Sequence, residues 1–325
     1  MIRVMSIPPL ATVQDLGRDS HWFEGLGRAG AMDPVSHRIA NMLLGNAASA
    51  ATLEIPLTPA QFRFDTRQAF AIAGAVCGAR LDGRPLPRLF AGLAKAGDVL
   101  ELGPIRAGAR LYLALPGGID VPEVLGSRST QLREAFGGYK GRVLAPGDVF
   151  KPMTQSDPAL SPSGISLELS EFRLPNDGTI QLRALPSTEH DSFDAASLTA
   201  FWSEPYRVTR QNDRQGHRLD GPVLKRHSSG ELRSHGIVPG IVQVPGGGLP
   251  IFQLADSATM GGYPKIAAII EPDLWRMGQA RPGERVLFRK VGLAEAAQAA
   301  DDHEAALAKA GQALAKAFEQ QASWA

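Results

Sequence analysis

At 325 residues and 44% hydrophobic side chains, the chain is long enough for about two domains with substantial cores. Its 34 Lys and Arg against 33 Asp and Glu leave a net charge of +1, which argues against a nucleic-acid or polybasic membrane surface as the main partner. Cys77 is the only cysteine, so no intrachain disulfide forms, and nowhere do ~18 uncharged apolar residues run together; a cytoplasmic protein without a membrane span is expected.

The 35 glycines and 24 prolines fall between short apolar runs, the spacing of a mainly β protein with frequent turns. Ile2-Arg-Val4 alternates, and Thr12-Val13-Gln14-Asp15-Leu16-Gly17-Arg18 places the polar pair Gln14-Asp15 at a strand end beside a turn. Asp33 before Pro34 is an N-cap followed by a proline suited to the first helical position. Val35, Ile39, Met42 and Leu43 then share one face, predicting a helix over roughly 34–44 that Gly45-Asn46 stops. From Ala51 to Phe150 short runs are separated by turns, with Asp82-Gly83 a hairpin signal, and an antiparallel barrel or sandwich is expected. Gly97-Asp98, Gly147-Asp148 and Gly283-Glu284 each put a Gly-acid turn before a strand, a weak repeat that suggests more than one barrel.

The Pro- and Ser-rich stretch 151–166 reads as linker. A second β-rich unit begins near Ile180, with a short helix from Asp194 that presents Leu198, Phe201 and Trp202 and ends at Pro205. Residues 293–320 are rich in Ala, Glu, Gln and Lys. Leu307, Leu314 and Phe318 give them a thin apolar stripe, which Gly311 weakens but which suffices for a helix lying on the body or on a partner, and this tail is expected to be dispensable for folding. The expected organisation is a first subdomain over 1–155, a linker region over 156–179, a second subdomain over 180–291 and the tail over 292–325.

The densest chemistry lies in Gln253-Leu-Ala-Asp256-Ser-Ala-Thr259-Met-Gly261-Gly262-Tyr263-Pro264-Lys265, between the apolar runs Leu249-Pro-Ile-Phe and Ile266-Ala-Ala-Ile-Ile. The pattern reads as two buried strands joined by a polar turn, whose paired glycines let the backbone approach a ligand closely. An ordinary Gly-rich hairpin with surface charges fits the residues equally well. No phosphate-binding loop occurs, since Pro245-Gly246-Gly247-Gly248 lacks the lysine that one needs. His217, His227 and His235 match no zinc spacing, no metal is expected, and Cys77 in Ala-Gly-Ala-Val-Cys-Gly reads as core.

Several pieces together resemble one family. They are Val13-Gln-Asp-Leu-Gly-Arg18, Gly30-Ala-Met-Asp33, Ala40-Asn41 with Gly45-Asn46, Pro116-Gly-Gly-Ile-Asp120 and Leu125-Gly-Ser-Arg-Ser-Thr130. Gly137-Gly138 with Gly141-Arg142, Asn212-Asp213-Arg214, Gly240-Ile-Val-Gln243-Val-Pro245 and Leu254 to Ala267 complete the set. The resemblance is to the biotin-dependent carboxyltransferase family of allophanate hydrolase subunit 2, which includes the C subunit of 5-oxoprolinase, the KipI-antagonist proteins and half of the urea carboxylase carboxyltransferase domain. It runs from residue 1 to about 290, leaving the tail outside. Two departures bear on substrate: Ala29 stands where members often have Ser, and Asn212-Asp-Arg-Gln-Gly-His217-Arg218 where they often have Ser-Asp-Arg-Met-Gly-Tyr-Arg.

The resemblance implies two cyclophilin-like β-barrel subdomains with few short helices. It also implies a subunit 1-type partner (the KipI-like B subunit of 5-oxoprolinase), with the A subunit of 5-oxoprolinase a further one. Three functions follow from it: the C subunit of an ATP-dependent 5-oxoprolinase, a half-subunit moving a carboxyl group from carboxybiotin to urea or another amide, or a regulator that binds a kinase-inhibitor-like subunit 1 protein without catalysis. Being a standalone chain favours the first. With no Ala-Met-Lys-Met sequence the chain holds no covalent biotin, so carboxybiotin would arrive on another protein, and ATP would act within the complex. The chemistry assigns Lys265 to an anionic group, Gly261 and Gly262 N–H to a developing oxyanion, Asp256 to a base or the orienting of one, and Gln253 and Thr259 to aligning a flat amide. A plain Asp256–Lys265 ion pair is the alternative. Asn41, Asp213, Arg214 and Gln243 are further substrate-binding candidates, although an Asp213–Arg214 salt bridge would equally account for that pair.

Overall fold

The computed structural model describes residues 1–155, 160–174, 178–227, 230 and 232–322. The chain divides into two units: Met1–Arg18, Ala29–Leu174 and Ala305–Ala325 form the first, Asp19–Arg28 and Pro175–Glu304 the second.

The first unit holds β1 (Ile2–Ser6), β2 (Thr12–Gln14), β3 (Thr52–Pro56), β4 (Ala60–Phe64), β5 (Gln68–Cys77), β6 (Arg80–Leu81) and β7 (Arg84–Pro85). It continues with β8 (Phe90–Ala94), β9 (Val99–Leu102), β10 (Ile105–Ala114), β11 (Val149–Phe150) and β12 (Ile165–Ser166). These make two six-stranded sheets, ordered β11-β1-β4-β9-β6-β7 and β12-β8-β5-β10-β3-β2. Period-two alternation, plain in Ala60-Gln-Phe-Arg-Phe64, sends Ile2, Val4, Phe62 and Phe64 of one sheet into the core that Leu53, Ile55, Phe70, Ile72, Leu111 and Leu113 of the other complete. The predicted helix is α1 (Pro34–Met42), capped by Asp33, whose carboxylate accepts from the Ser36 N–H at 2.9 Å. Asp82-Gly83 makes the expected hairpin between β6 and β7.

The second unit is built on β13 (Thr179–Pro186), β14 (Tyr206–Asn212), β15 (Gly216–Asp220), β16 (His235–Gly236), β17 (Ile241–Gln243), β18 (Ile251–Gln253), β19 (Met260–Gly261), β20 (Lys265–Ile269) and β21 (Arg285–Lys290). Seven of them close a barrel in the order β13-β20-β17-β18-β15-β14-β21, sealed by parallel pairing of β13 with β21, while β16 and β19 form a separate ribbon. Its helix α2 (Ala195–Ser203) starts at Asp194, as predicted, and lays Phe201 on Phe288 with ring centroids 4.6 Å apart. A short α3 (Leu274–Gly278) precedes β21, and α4 (Leu293–Ala322) is the Ala-rich helix. The fold is thus mainly β in two units, one a closed barrel and the other a pair of sheets around one core.

The Gly-acid repeat has a physical basis. Gly97, Gly147 and Gly283 share φ values of 95°, 90° and 91°, which glycine adopts without strain. Each following acid then accepts from the N–H three residues back: Lys95 to Asp98 at 2.9 Å, Ala145 to Asp148 at 2.8 Å and Arg281 to Glu284 at 2.9 Å.

Three expectations need correction. The runs around Leu249 and Ile266 are not hairpin partners, because β17 lies between β18 and β20 and pairs with both. Residues 151–166 are not all linker, since Ile165-Ser166 forms β12 against β8, and farther along Phe172 and Leu174 are buried; 156–159 and 175–177 lie outside the described residues. The tail lies on the body, and its buried side chains argue against its being dispensable. Ala299 packs with Ile270 and Val291, and Leu307, Ala310 and Leu314 are buried, so truncation loses about 1.5–3 kcal/mol for each leucine. No helix among the described residues is long and apolar enough to cross a membrane.

Candidate functional site

In the second unit the strand register builds a row of side chains. Gly216 pairs with Gln253, and Arg218 and Gln243 both pair with Ile251, so these residues share one face of β15, β18 and β17, while a bulge in β20 brings Lys265 opposite Gln243. Their neighbours His217, Leu219, Phe252 and Val242 take the opposite face and are buried. A cavity of about 400 Å³ opens at the β14–β15 end of the row, its walls including Arg210, Asn212, Asp213, Arg218, Ile251 and Gln253.

Hydrogen bonds carry the row inward. Gln253 Nε2 donates to Gln243 Oε1 at 3.1 Å, and Gln243 Nε2 donates to the Tyr263 carbonyl at 3.2 Å. Lys265 is only 7% exposed. Its N–H donates to the Glu189 carboxylate at 2.9 Å, while its ammonium meets no acceptor among the described residues. His235 Nε2 lies 3.6 Å from the other Glu189 oxygen, and His235 Nδ1 donates to the Arg233 carbonyl.

Other sequence candidates are placed differently. Asp256 is held by both oxygens on the Arg214 guanidinium at 2.9 Å each, the two side chains being 7% and 6% exposed. Arg214, not Lys265, is therefore its partner, and the anticipated Asp213–Arg214 bridge gives way to it. Asp213 instead accepts from the N–H groups of Gln215 and Gly216 at 2.8 and 3.1 Å, closing the β14–β15 turn. Gly261 and Gly262 do not have positive φ; a Cβ would meet Ile237 at 2.4 Å on the first and the Leu232 carbonyl at 2.9 Å on the second. They allow close packing of the chain on itself. Thr259 Oγ1 donates to the Gly25 carbonyl at 3.4 Å. Asn41 belongs to the first unit and is fully buried, donating to the Ala50 carbonyl at 2.8 Å and accepting from Asn46 at 3.0 Å. It braces the end of α1.

The first unit carries its own polar cluster. Asp15 accepts from the Gly17 and Arg128 N–H groups at 2.8 and 2.6 Å and from the Ser127 and Ser129 hydroxyls at 2.7 and 2.5 Å. Glu54 accepts from the Met32 N–H and the Tyr112 hydroxyl, and burial pushes that phenol well above its usual range. Burial drives the His37 imidazole down to about 4, and the Cys77 thiol up to about 11, so neither a cation nor a thiolate is available there near neutrality.

Residues 24–290 match the family described as carboxyltransferase domain, subdomain A and B, more than half of the chain. The chain belongs to the carboxyltransferase family. This carboxyltransferase-family chain is 40% identical over 304 residues to the 5-oxoprolinase C subunit of Escherichia coli, covering 94% of its own length and 96% of the relative. It is 36% identical to the 5-oxoprolinase C subunit of Haemophilus influenzae, covering 92% and 94% of the two chains. Among solved structures it is similar to the K. lactis urea amidolyase, with a TM-score of 0.87 and 27% identity over 94% of this chain. It spans only 20% of that longer protein. These relatives are parts of enzymes.

Arg210 carries no site signal in the sequence, and Arg218 stands out there only within a motif. The alternation of Gly216-His-Arg-Leu-Asp220 holds the missing clue, because it sends Arg218 outward while His217 and Leu219 go in. Glu189 carries no signal, and His235 only as one of three scattered histidines, because the β16–β19 ribbon and the turn after β13 bring them near Lys265.

Proposed function

We propose that this chain is the C subunit of an ATP-dependent 5-oxoprolinase, a complex that opens a cyclic amide. It works with a subunit 1-type protein, the KipI-like B subunit, together with the A subunit. The observation that carries the reading is the 40% identity to the Escherichia coli relative over nearly the whole of both chains. The row of side chains supports it. Opening a lactam adds water across the C–N bond and builds negative charge on the carbonyl oxygen, which preorganised donors and a cation stabilise best. Lys265 supplies the cation and the Gln253–Gln243 pair the flat hydrogen-bonding surface that aligns an amide. Asp256 acts by orienting Arg214, Gly261 by letting the β16–β19 ribbon lie close to Gln243, and Gly262 by letting the chain pack on the Leu232 carbonyl.

The likeness to the K. lactis urea amidolyase favours a second reading, transfer of a carboxyl group to urea or another amide. Carboxybiotin on another protein would supply the carboxyl group. The Gln253 carboxamide fits a flat ureido ring and Lys265 a carboxylate.

The test is reconstitution with the neighbouring subunits and measurement of glutamate formed from 5-oxoproline with and without ATP. ATP-dependent glutamate formation is expected. Carboxylation of urea in its place would establish the second reading, and firm association of the subunits without either turnover would point to the non-catalytic regulator.

A further inference from the structure

We infer that Arg210 and Arg218 form an anion-recognising subsite in the β14–β15–β18 cavity, which selects a small substrate bearing a carboxylate or phosphate beside the group that Gln253 aligns. The inference rests on the lactam-opening reading and names its specificity element.

Among the arginines of the second unit, these two are the ones that line the cavity. Arg183, Arg214, Arg281 and Arg289 of the same unit each hold a carboxylate, Asp273, Asp256, Glu284 and Glu295 respectively. Arg210 and Arg218 line one cavity and, among the described residues, neither has a carboxylate within ion-pair distance. The acid in that wall is Asp213, whose Oδ1 accepts from the N–H groups of Gln215 and Gly216 in the turn. Two guanidiniums against one turn-bound carboxylate leave the cavity with excess positive charge and with forked donors that match a planar carboxylate or a phosphate.

Position adds the rest. Arg218 pairs with Ile251, two residues from Gln253 on the same face, so a ligand in the cavity meets guanidinium and carboxamide together. A lactam carrying a carboxylate on its ring, as 5-oxoproline does, presents an amide and an anion on one small frame. Urea has only the amide-like part and leaves the arginines unanswered. A phosphate group of ATP offers the same anionic oxygens, so substrate and nucleotide must be tested separately.

The experiment uses the reconstituted complex with Arg210→Gln, Arg218→Gln and Arg218→Lys in this chain, comparing KM for 5-oxoproline and for ATP. The glutamine variants are expected to raise KM for one anion by roughly 10- to 100-fold with kcat changed far less, and Arg218→Lys to recover part of the loss. A shift confined to 5-oxoproline assigns the subsite to the substrate carboxylate, and one confined to ATP assigns it to a phosphate. Unchanged constants for both would overturn the inference while the unmutated complex stays active. Loss of binding between the subunits would overturn it too, by marking the arginines as an interface with an acidic partner surface. An unmutated complex that does not open 5-oxoproline would instead defeat the functional reading and the subsite with it.

Discussion

The two units each contain a concentrated polar cluster, and the clusters differ in how far their hydrogen-bonding capacity is already occupied. Around Asp15 and Glu54 in the first unit, carboxylates, hydroxyls and backbone N–H groups are buried and answer one another. Along β15, β18, β17 and β20 in the second, Arg210, Arg218 and Gln253 line an open cavity and the Lys265 ammonium has no acceptor among the described residues. A sealed and answered cluster fixes a fold, because removing one member strands several others without water. Donors left over at a cavity have room for a ligand.

The largest expected effect breaks the sealed side. Asp15→Ala would strand two N–H groups and two buried hydroxyls, each loss costing about 1–3 kcal/mol, so the chain should lose at least ~4 kcal/mol in urea titrations or fail to accumulate folded. A drop below about 1 kcal/mol would show that the cluster is replaceable by water.

Next comes the ion pair that occupies the carboxylate expected to be a base. Asp256→Ala leaves a buried Arg214 without its bidentate partner and should cost about 3–5 kcal/mol, whereas joint replacement by Arg214→Met and Asp256→Leu should return most of it. Full stability with abolished turnover in Asp256→Ala would restore the base assignment.

Lys265→Met sharpens the open side. The aliphatic stem stays, the charge goes, and kcat of the reconstituted complex should fall by roughly 10²–10³ with little change in melting temperature. Undiminished activity would remove Lys265 from the mechanism.

The smallest effect is pH dependence in the sealed unit. His37 is fully buried, accepting from Thr52 and donating to the Ala48 carbonyl, and burial holds it at about 4 against 6.5 in the unfolded chain. The unfolded state therefore binds the extra proton between those values. Its stabilising neutrality is complete above about 6.5 and lost as pH falls toward 4, on the order of 3 kcal/mol in all. Denaturation midpoints measured from pH 7 to 4 should fall less for His37→Gln than for the parent chain.

How much of this was legible in the sequence depends on the range of the interactions. The cap at Asp33, the turn at Asp82-Gly83, the start of α2 at Asp194 and the Gly-acid turns are set by a few consecutive residues, so composition and period disclose them. The family resemblance was also present in local motifs. Tertiary structure alone inserted β17 between β18 and β20, matched Asp256 with Arg214 across 42 positions, and drew Leu307 and Leu314 of the tail into burial. The same register put Arg218 beside Gln253 and Gln243 beside Lys265. Strand order and long-range ion pairing depend on which edges and charges meet after collapse, and residues adjacent in sequence carry little record of that choice.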